Sequence, residues 1–491
     1  MIQNFTSRRA PHTLRGRPDA RQALPRLGLL ALLATVACLL TGGAASAAEP
    51  GVVLGGNFFS SAPTFSAVNR SGARWVREFV YWSELEPSRG QYEEGTLSAY
   101  AHALTNLPPA TKVLFVVVGT PGWANPGQDI HTPPTNPQDY ADFLHYMAGR
   151  FAGKVAAWEI WNEEDASAWW TKPNAGAYAS LLKATYPAVK SADSQAKVIL
   201  GGLTGNDYHF LQGVYDAGAK GSFDAVGVHT DTACDIVSPY SYLRDTDGRV
   251  DQYSFLGYRE VHNLMVARGD DKPIWMTELG WSTSTQTCDQ GLFKGRKAGG
   301  VTPENQATFL AEAYHCLQGD PYMQVGIWFN LQDNDSADTP FTRFGLLGSD
   351  FAPKPVFSAF QNYATQGDQL TGACGNFTGP KVAFAAPLAG SHFNGPLKIA
   401  VTATSPVGVN RITLLYDGAK KIRNFTDKRS PTTLTGSITW QGAKHLSLGS
   451  HQLTVEAFDL QGNVTKQTIT VVRGAGHHQR HRKHHKPPKH R

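Results

Sequence analysis

Trp158-Glu159-Ile160-Trp161-Asn162-Glu163-Glu164-Asp165 is the stretch on which the reading of this chain turns. An apolar run over residues 154–158 leads into it, and a polar, aromatic-rich segment follows. Asn162-Glu163 therefore falls where a buried strand emerges into a loop. Barrels and open α/β sheets carry their chemistry at such strand ends. A second stretch answers the first: Pro273-Ile274-Trp275-Met276-Thr277-Glu278-Leu279-Gly280-Trp281, in which Glu278 ends another strand-like run. Two other acids compete with Glu163. Glu159 has the opposite strand parity from Ile160 and can point into a barrel, whereas Glu164 reads as a loop residue.

Working outward, eight apolar runs read as strands: residues 52–55, 74–79, 112–118, 155–160, 197–201, 225–228, 274–277 and 325–329. Amphipathic stretches alternate with them. Over 139–151, Tyr140, Phe143, Leu144, Met147 and Phe151 recur at helical spacing. Residues 175–190, 253–267 and 303–317 read the same way, and 357–363 closes the set. Thr302-Pro303 is a helix start, with Thr as cap and Pro in first position. This alternation predicts an α/β fold, a (β/α)8 TIM barrel over residues 48–378. A doubly wound open sheet is the alternative. No glycine fingerprint follows the first strand, which disfavours a dinucleotide site. Past Thr378-Gly379-Pro380 the texture changes to short alternating runs at 397–402, 411–416, 437–440, 452–458 and 466–472. Turn signals such as Asp417-Gly418 separate them. Residues 379–473 are expected to form a small all-β, immunoglobulin-like sandwich.

The ends account for the basic balance. The chain of 491 residues has a net charge of +5. Six arginines before residue 48 and seven basic residues from Arg473 onward leave the folded body acidic. Basic charge confined to the ends, with no patch on the fold, argues against a specific nucleic-acid binder. Residues 1–47 read as a signal peptide: an Arg-rich start, an apolar run over 27–40 and Ala45-Ser46-Ala47. That run is short for a transmembrane anchor. The expected location is secreted or extracellular, with cell-surface association through the tail. The tail, 474–491, is rich in His, Lys and Arg and is expected to be disordered, with anionic polymer as its partner. Beyond Cys38, the even set Cys234, Cys288, Cys316 and Cys374 suggests disulfides in an exported chain. Given the barrel, Cys234 and Cys288 fall on neighbouring loops, so Cys234–Cys288 with Cys316–Cys374 is the preferred of three pairings. No Cys/His spacing argues for a metal, and no cofactor is called for.

Hydrolysing a glycosidic bond takes an acid for the leaving oxygen and a carboxylate facing the anomeric carbon. Glu163 and Glu278 end the fourth and seventh strands, across a barrel mouth from each other. A single Glu after an apolar run is usually a solvated loop residue; two in aromatic frames at strand ends are not. A separation of about 5 Å would retain configuration, and roughly 6.5–9.5 Å would invert it.

Trp161-Asn162-Glu163, Thr277-Glu278-Leu279-Gly280-Trp281, and Trp75-Val76-Arg77 leading to Trp82-Ser83-Glu84-Leu85-Glu86-Pro87 and Gly90-Gln91-Tyr92 resemble, in that order, the clan A glycoside hydrolases. The resemblance is nearest to family 39 and cellulase-like members and spans residues 51–365. It implies a retaining enzyme in which Glu163 is the acid/base and Glu278 the nucleophile. Asn162 would bind the sugar 2-hydroxyl and Arg77 would keep Glu278 ionised, a role compatible with an interior salt bridge. Trp328 would lie under the sugar, unless it is a core residue. His229 would contact substrate or nucleophile, unless structural. The clan's Tyr two residues after this His is replaced by Asp231, for which Tyr240 or Tyr242 would have to substitute. Trp123, Trp169, Trp170 and Trp281 are candidates to line a cleft; each alone is more often packing, and the Trp169-Trp170 pair is the best candidate. The expected partner is a polysaccharide or oligosaccharide and the expected state a monomer. The competing readings are a non-catalytic carbohydrate-binding or adhesion protein and a transglycosidase.

Overall fold

The eight apolar runs become eight parallel strands of a closed barrel: β1 (Glu49–Val53), β2 (Trp75–Tyr81), β3 (Lys112–Val118), β4 (Ala157–Ile160), β5 (Lys197–Leu203), β6 (Ala225–Thr230), β7 (Ile274–Leu279) and β8 (Met323–Trp328). They pair in chain order, and β8 closes on β1. The computed structural model describes residues 48–475 apart from 57, 59–61, 231–233, 235–237, 289–293, 296–297, 335–336, 376–377, 406–407 and 430. The expected signal segment, nearly all of the basic tail and Asp231 lie outside the described residues.

Around the barrel run α1 (Ala62–Ser71), α2 (Trp82–Leu85), α3 (Glu94–Asn106), α4 (Pro137–Arg150), α5 (Ala175–Ala192), α6 (Tyr208–Asp216), α7 (Tyr258–Ala267), α8 (Pro303–Gly319) and α9 (Pro355–Gln366). Their starts follow from local chemistry. Asn136 accepts from the Gln138 amide before Pro137, and Thr302 from the Asn305 amide before Pro303. Such caps satisfy amides that have no partner in the first turn. The apolar face of α4, with Tyr140, Phe143, Leu144 and Met147, is fully buried. Tyrosines on the helices also reach the strands. Tyr140, Tyr178 and Tyr314 donate to the carbonyls of Val117, Ile160 and Gly326, each at 2.7 Å.

Inside the barrel, Trp75, Leu114, Ala157, Ile199, Ala225, Trp275 and Val325 belong to one buried cluster. The rings of Trp75 and Trp275 meet edge to face at 4.8 Å. This apolar plug fills the end where the strands begin. Polar side chains gather at the other end, which carries the strand-to-helix loops.

The C-terminal region is a two-sheet sandwich of β9 (Lys381–Ala386), β10 (His392–Phe393), β11 (Leu397–Thr404), β12 (Val409–Tyr416), β13 (Lys420–Phe425), β14 (Thr433–Trp440), β15 (Gly449–Asp459) and β16 (Val464–Arg473). One sheet has the order β10-β16-β15-β12-β13, the other β14-β11-β9. Alternate residues such as Ile399, Val401, Ile412, Leu414, Leu453 and Val455 form its core. The β15–β16 turn meets the barrel loop between β6 and α7, where the Tyr242 hydroxyl and, at 3.3 Å, the Arg244 guanidinium donate to Asn463. Both disulfides pair as expected, Cys234 with Cys288 and Cys316 with Cys374.

Candidate active site

The site is built on Arg77. Strand parity turns it into the barrel from β2, where it is fully buried. Its Nε donates to Glu159 at 2.7 Å, one terminal nitrogen donates to Glu278, and the other donates to the Asn162 amide oxygen at 2.8 Å. Burial works against the Arg77 charge, but Glu159 and Glu278 more than offset it, so its pKa stands above the ordinary value. Glu159 also accepts from the Thr277 hydroxyl at 2.7 Å. One cation thus ties together side chains from β2, β4 and β7.

Glu278 reaches this cation through a fault in the sheet. Alternation from Trp275 and Thr277 would aim Glu278 outward. Between β6 and β7, however, Val228 pairs with Met276 and His229 with Glu278, so the register slips by one residue. Such a slip re-aims a side chain. Thr277 and Glu278 consequently both bond to groups inside the barrel.

Glu163 is placed by its backbone. Trp161 and Glu163 have φ of 70° and 45°. Non-glycine residues rarely adopt this region, and it costs of order 1–3 kcal/mol each where they do. The turn brings Glu163 back over β5, where its amide donates to the Gly202 carbonyl at 3.2 Å. A Glu163 carboxylate oxygen lies 2.9 Å from His229 Nδ1. His229 Nε2 is 3.5 Å from an Arg77 nitrogen that can only donate, so Nδ1 carries the proton and donates to Glu163. Oxygens of Glu163 and Glu278 and a ring nitrogen of His229 lie within 4.8 Å of one another. Such a trio is spaced to hold a cation, but Arg77 already supplies a fixed positive charge to Glu278.

Burial pushes the Glu163 pKa up to about 7; the Arg77 charge opposes this and Glu159 adds to it. Several neighbours are shifted too. Burial raises Glu164 well above the usual range, Asp165 to about 8 and Glu78 to about 7. Geometry separates them. Glu164 lies in the loop after β4, as expected, but is fully buried there because the turn at Glu163 folds it back against Gly201. Asp165 accepts from the Thr204 amide, and Glu78 accepts from the amides of Gly56 and Phe79. Glu163 alone among these four faces Glu278, with 19 % of its side chain exposed.

The sequence reading missed the glycines that make room for this cluster. A Cβ on Gly202 would sit 1.9 Å from His229 Nε2, and one on Gly201 2.3 Å from a Glu164 oxygen. Gly227 leaves space beside Glu159 in the same way. Glycines inside strand-like runs signal close approach and could have been noticed.

The tryptophans divide. Trp169 is partly exposed and stacks on Phe79 at 5.5 Å. Trp123 is also partly exposed, but its indole donates to the Glu86 carbonyl and Arg89 covers its ring at 4.3 Å. Trp170 and Trp281, expected in the cleft, are core residues: Trp170 packs on Trp161 and Tyr178, Trp281 on Phe255, Phe309 and Trp328. Trp328 is itself fully buried, its indole donating to the Phe344 carbonyl, so it does not present a face to the cleft. Tyr242 is committed to Asn463, and Tyr240 lies 6.5 Å from His315.

Residues 380–455 match the bacterial Ig domain family. No curated protein matches the chain. Among solved structures, a family 39 glycoside hydrolase from Bacteroides cellulosilyticus WH2 is similar, with 20 % identity, 80 % of each chain covered and a TM-score of 0.53. A monomeric beta-xylosidase from Caulobacter crescentus CB15 shares 16 % identity over 84 % of this chain and 98 % of its own, with a TM-score of 0.47. The chain thus joins a (β/α)8 barrel of the fold found in a family 39 glycoside hydrolase to an Ig-like domain.

Proposed function

We propose that the protein is an exported glycoside hydrolase that cleaves O-glycosidic bonds of an oligosaccharide or polysaccharide with retention of configuration. The observation that carries this reading is the pair Glu163 and Glu278, with oxygens within 4.8 Å, of which Glu163 titrates near neutrality. That spacing is close to the roughly 5–5.5 Å of retaining enzymes and short of the roughly 6.5–9.5 Å of inverting ones, and it suits direct attack by one carboxylate. Glu278, fixed by Arg77, attacks the anomeric carbon while Glu163 gives its proton to the leaving oxygen. Glu163 then takes a proton from the water that releases the glycosyl-enzyme. His229 donates to one oxygen of Glu163, which leaves the other to carry the exchanging proton. Asn162 uses its oxygen on Arg77, and its amide hydrogens, with no acceptor among the described residues, can donate to a sugar hydroxyl. Two disulfides and an Ig-like domain support an exported protein with the sandwich as spacer or attachment module.

The test is hydrolysis of a panel of xylo-, manno- and gluco-configured β-glycosides and oligosaccharides, with the first-formed anomer read by NMR. Retention is expected, as is loss of turnover in Glu278→Gln. Azide should restore Glu163→Ala on substrates with activated leaving groups. Unchanged turnover in Glu278→Gln, or a first product of inverted configuration, would overturn the assignment. Transfer to added acceptor sugars in preference to water would favour a transglycosidase with the same two residues.

A further inference from the structure

A cavity of about 430 Å³ lies beside the carboxylate pair, and the chemistry above does not use it. It opens among the ends of β1, β2 and β8, and its wall includes Gly55, Phe79, Phe329, Asn330, Gln332 and Phe341. It adjoins the reacting groups through two of these residues. The Phe79 ring centroid is 5.0 Å from the Arg77 guanidinium carbon. The Phe329 backbone packs on Gly280, two residues beyond Glu278.

The position of the cavity decides which part of a substrate it can hold. In a ring of eight strands β8 lies opposite β4, so the cavity faces Glu163 across the mouth. The acid protonates the leaving oxygen, and the leaving group therefore extends on the Glu163 side. The part of the substrate that stays bonded to Glu278 extends the other way, toward β8 and β1. We infer that the cavity is a binding subsite for a second sugar ring on the retained side of the cleaved bond. The substrate class is then a chain with at least two sugars before that bond, and the enzyme does not trim single sugars. This inference rests on the glycosidase reading.

The lining suits a sugar. Phe341 lines the cavity with 42 % of its surface exposed, so its ring is accessible for a sugar to stack on. Phe79 cannot serve, because Trp169 and Arg77 already pack on its ring. The Asn330 amide oxygen is shielded from solvent and has no donor among the described residues. Asn330 is itself only half-buried, so a turn of its amide toward the cavity brings it within reach of a sugar hydroxyl. An aromatic face with a few polar groups is how small-molecule sites fix orientation.

The experiment compares Phe341→Ala and Phe341→Tyr with the parent, using aryl glycosides that carry one or two sugars of whichever panel configuration is hydrolysed. In the parent, kcat/KM should be higher for the two-sugar glycone. Phe341→Ala should remove about tenfold of that advantage and leave the one-sugar substrate unchanged, while Phe341→Tyr keeps it. An unchanged ratio in Phe341→Ala, or a parent without preference, overturns the subsite. If no panel sugar is hydrolysed, the glycosidase reading fails separately. Calorimetric titration with the same sugars then decides the subsite: tighter two-sugar binding that Phe341→Ala weakens supports it, and equal binding refutes it.

Discussion

Arg77→Met tests how the site is held together. Methionine keeps an unbranched stem of similar reach and removes the charge and all the donors. Glu159, fully buried, and Glu278, with 7 % of its side chain exposed, would then share the barrel without a cation. Removing one partner of a buried ion pair costs about 3–5 kcal/mol. For a domain of this size, at about 2 °C per kcal/mol, the melting temperature should fall roughly 6–10 °C. Adding Glu159→Gln should recover part of the stability, since one orphaned charge disappears. It should not recover activity, because Glu278 still lacks the donor that holds it toward the sugar. Scanning calorimetry, with turnover measured alongside, checks each step. A variant that melts with the parent, or a double variant that regains turnover, would refute the picture of Arg77 as the clamp on the proposed nucleophile.

Two further outcomes follow from the same geometry. With Glu163 titrating at about 7, its acid form is present below that pH, so kcat/KM should fall about tenfold per unit as pH rises beyond it. Glu163→Ala, assayed with a leaving group that needs no proton, should lose that alkaline limb; a limb that persists would assign it to another group. Gly202→Ala places a methyl where His229 Nε2 now sits, costing about 1–3 kcal/mol of stability. By pushing His229 off Glu163 it should also lower kcat by about a hundredfold. Parent-like turnover in a folded Gly202→Ala would show that the His229 contact is not needed.

The barrel was legible in the sequence because parallel strands covered on both faces read as continuous apolar runs. The run Lys112–Val118, for example, emerges as β3 with the bounds expected. Helices were less visible where the buried face is thin. In α3 only Leu97, Tyr100 and Ala103 are buried, and α3 was not foreseen. The sandwich shows the same effect more sharply. Its unforeseen strands, β9, β10 and β13, are all sheet edges. Edge strands are kept short or charged, which blurs the alternation that reveals central strands. Lys420-Lys421 at the start of β13 does so directly.

The site was legible in its residue types and not in its directions. Adjacent acids Glu163 and Glu164 differ in environment because positive φ at Trp161 and Glu163 sends one into the mouth and the other beneath it. Nothing in their side chains encodes that choice. Glu278 makes the stronger case, since simple alternation from Trp275 would have turned it away from the barrel. What turns it inward is the one-residue slip against β6, and a slip depends on the pairing of two strands 49 residues apart at Thr230↔Leu279. Direction at this site is therefore a tertiary property. A substitution that restores regular pairing between β6 and β7 would remove the proposed nucleophile without touching Glu278 itself.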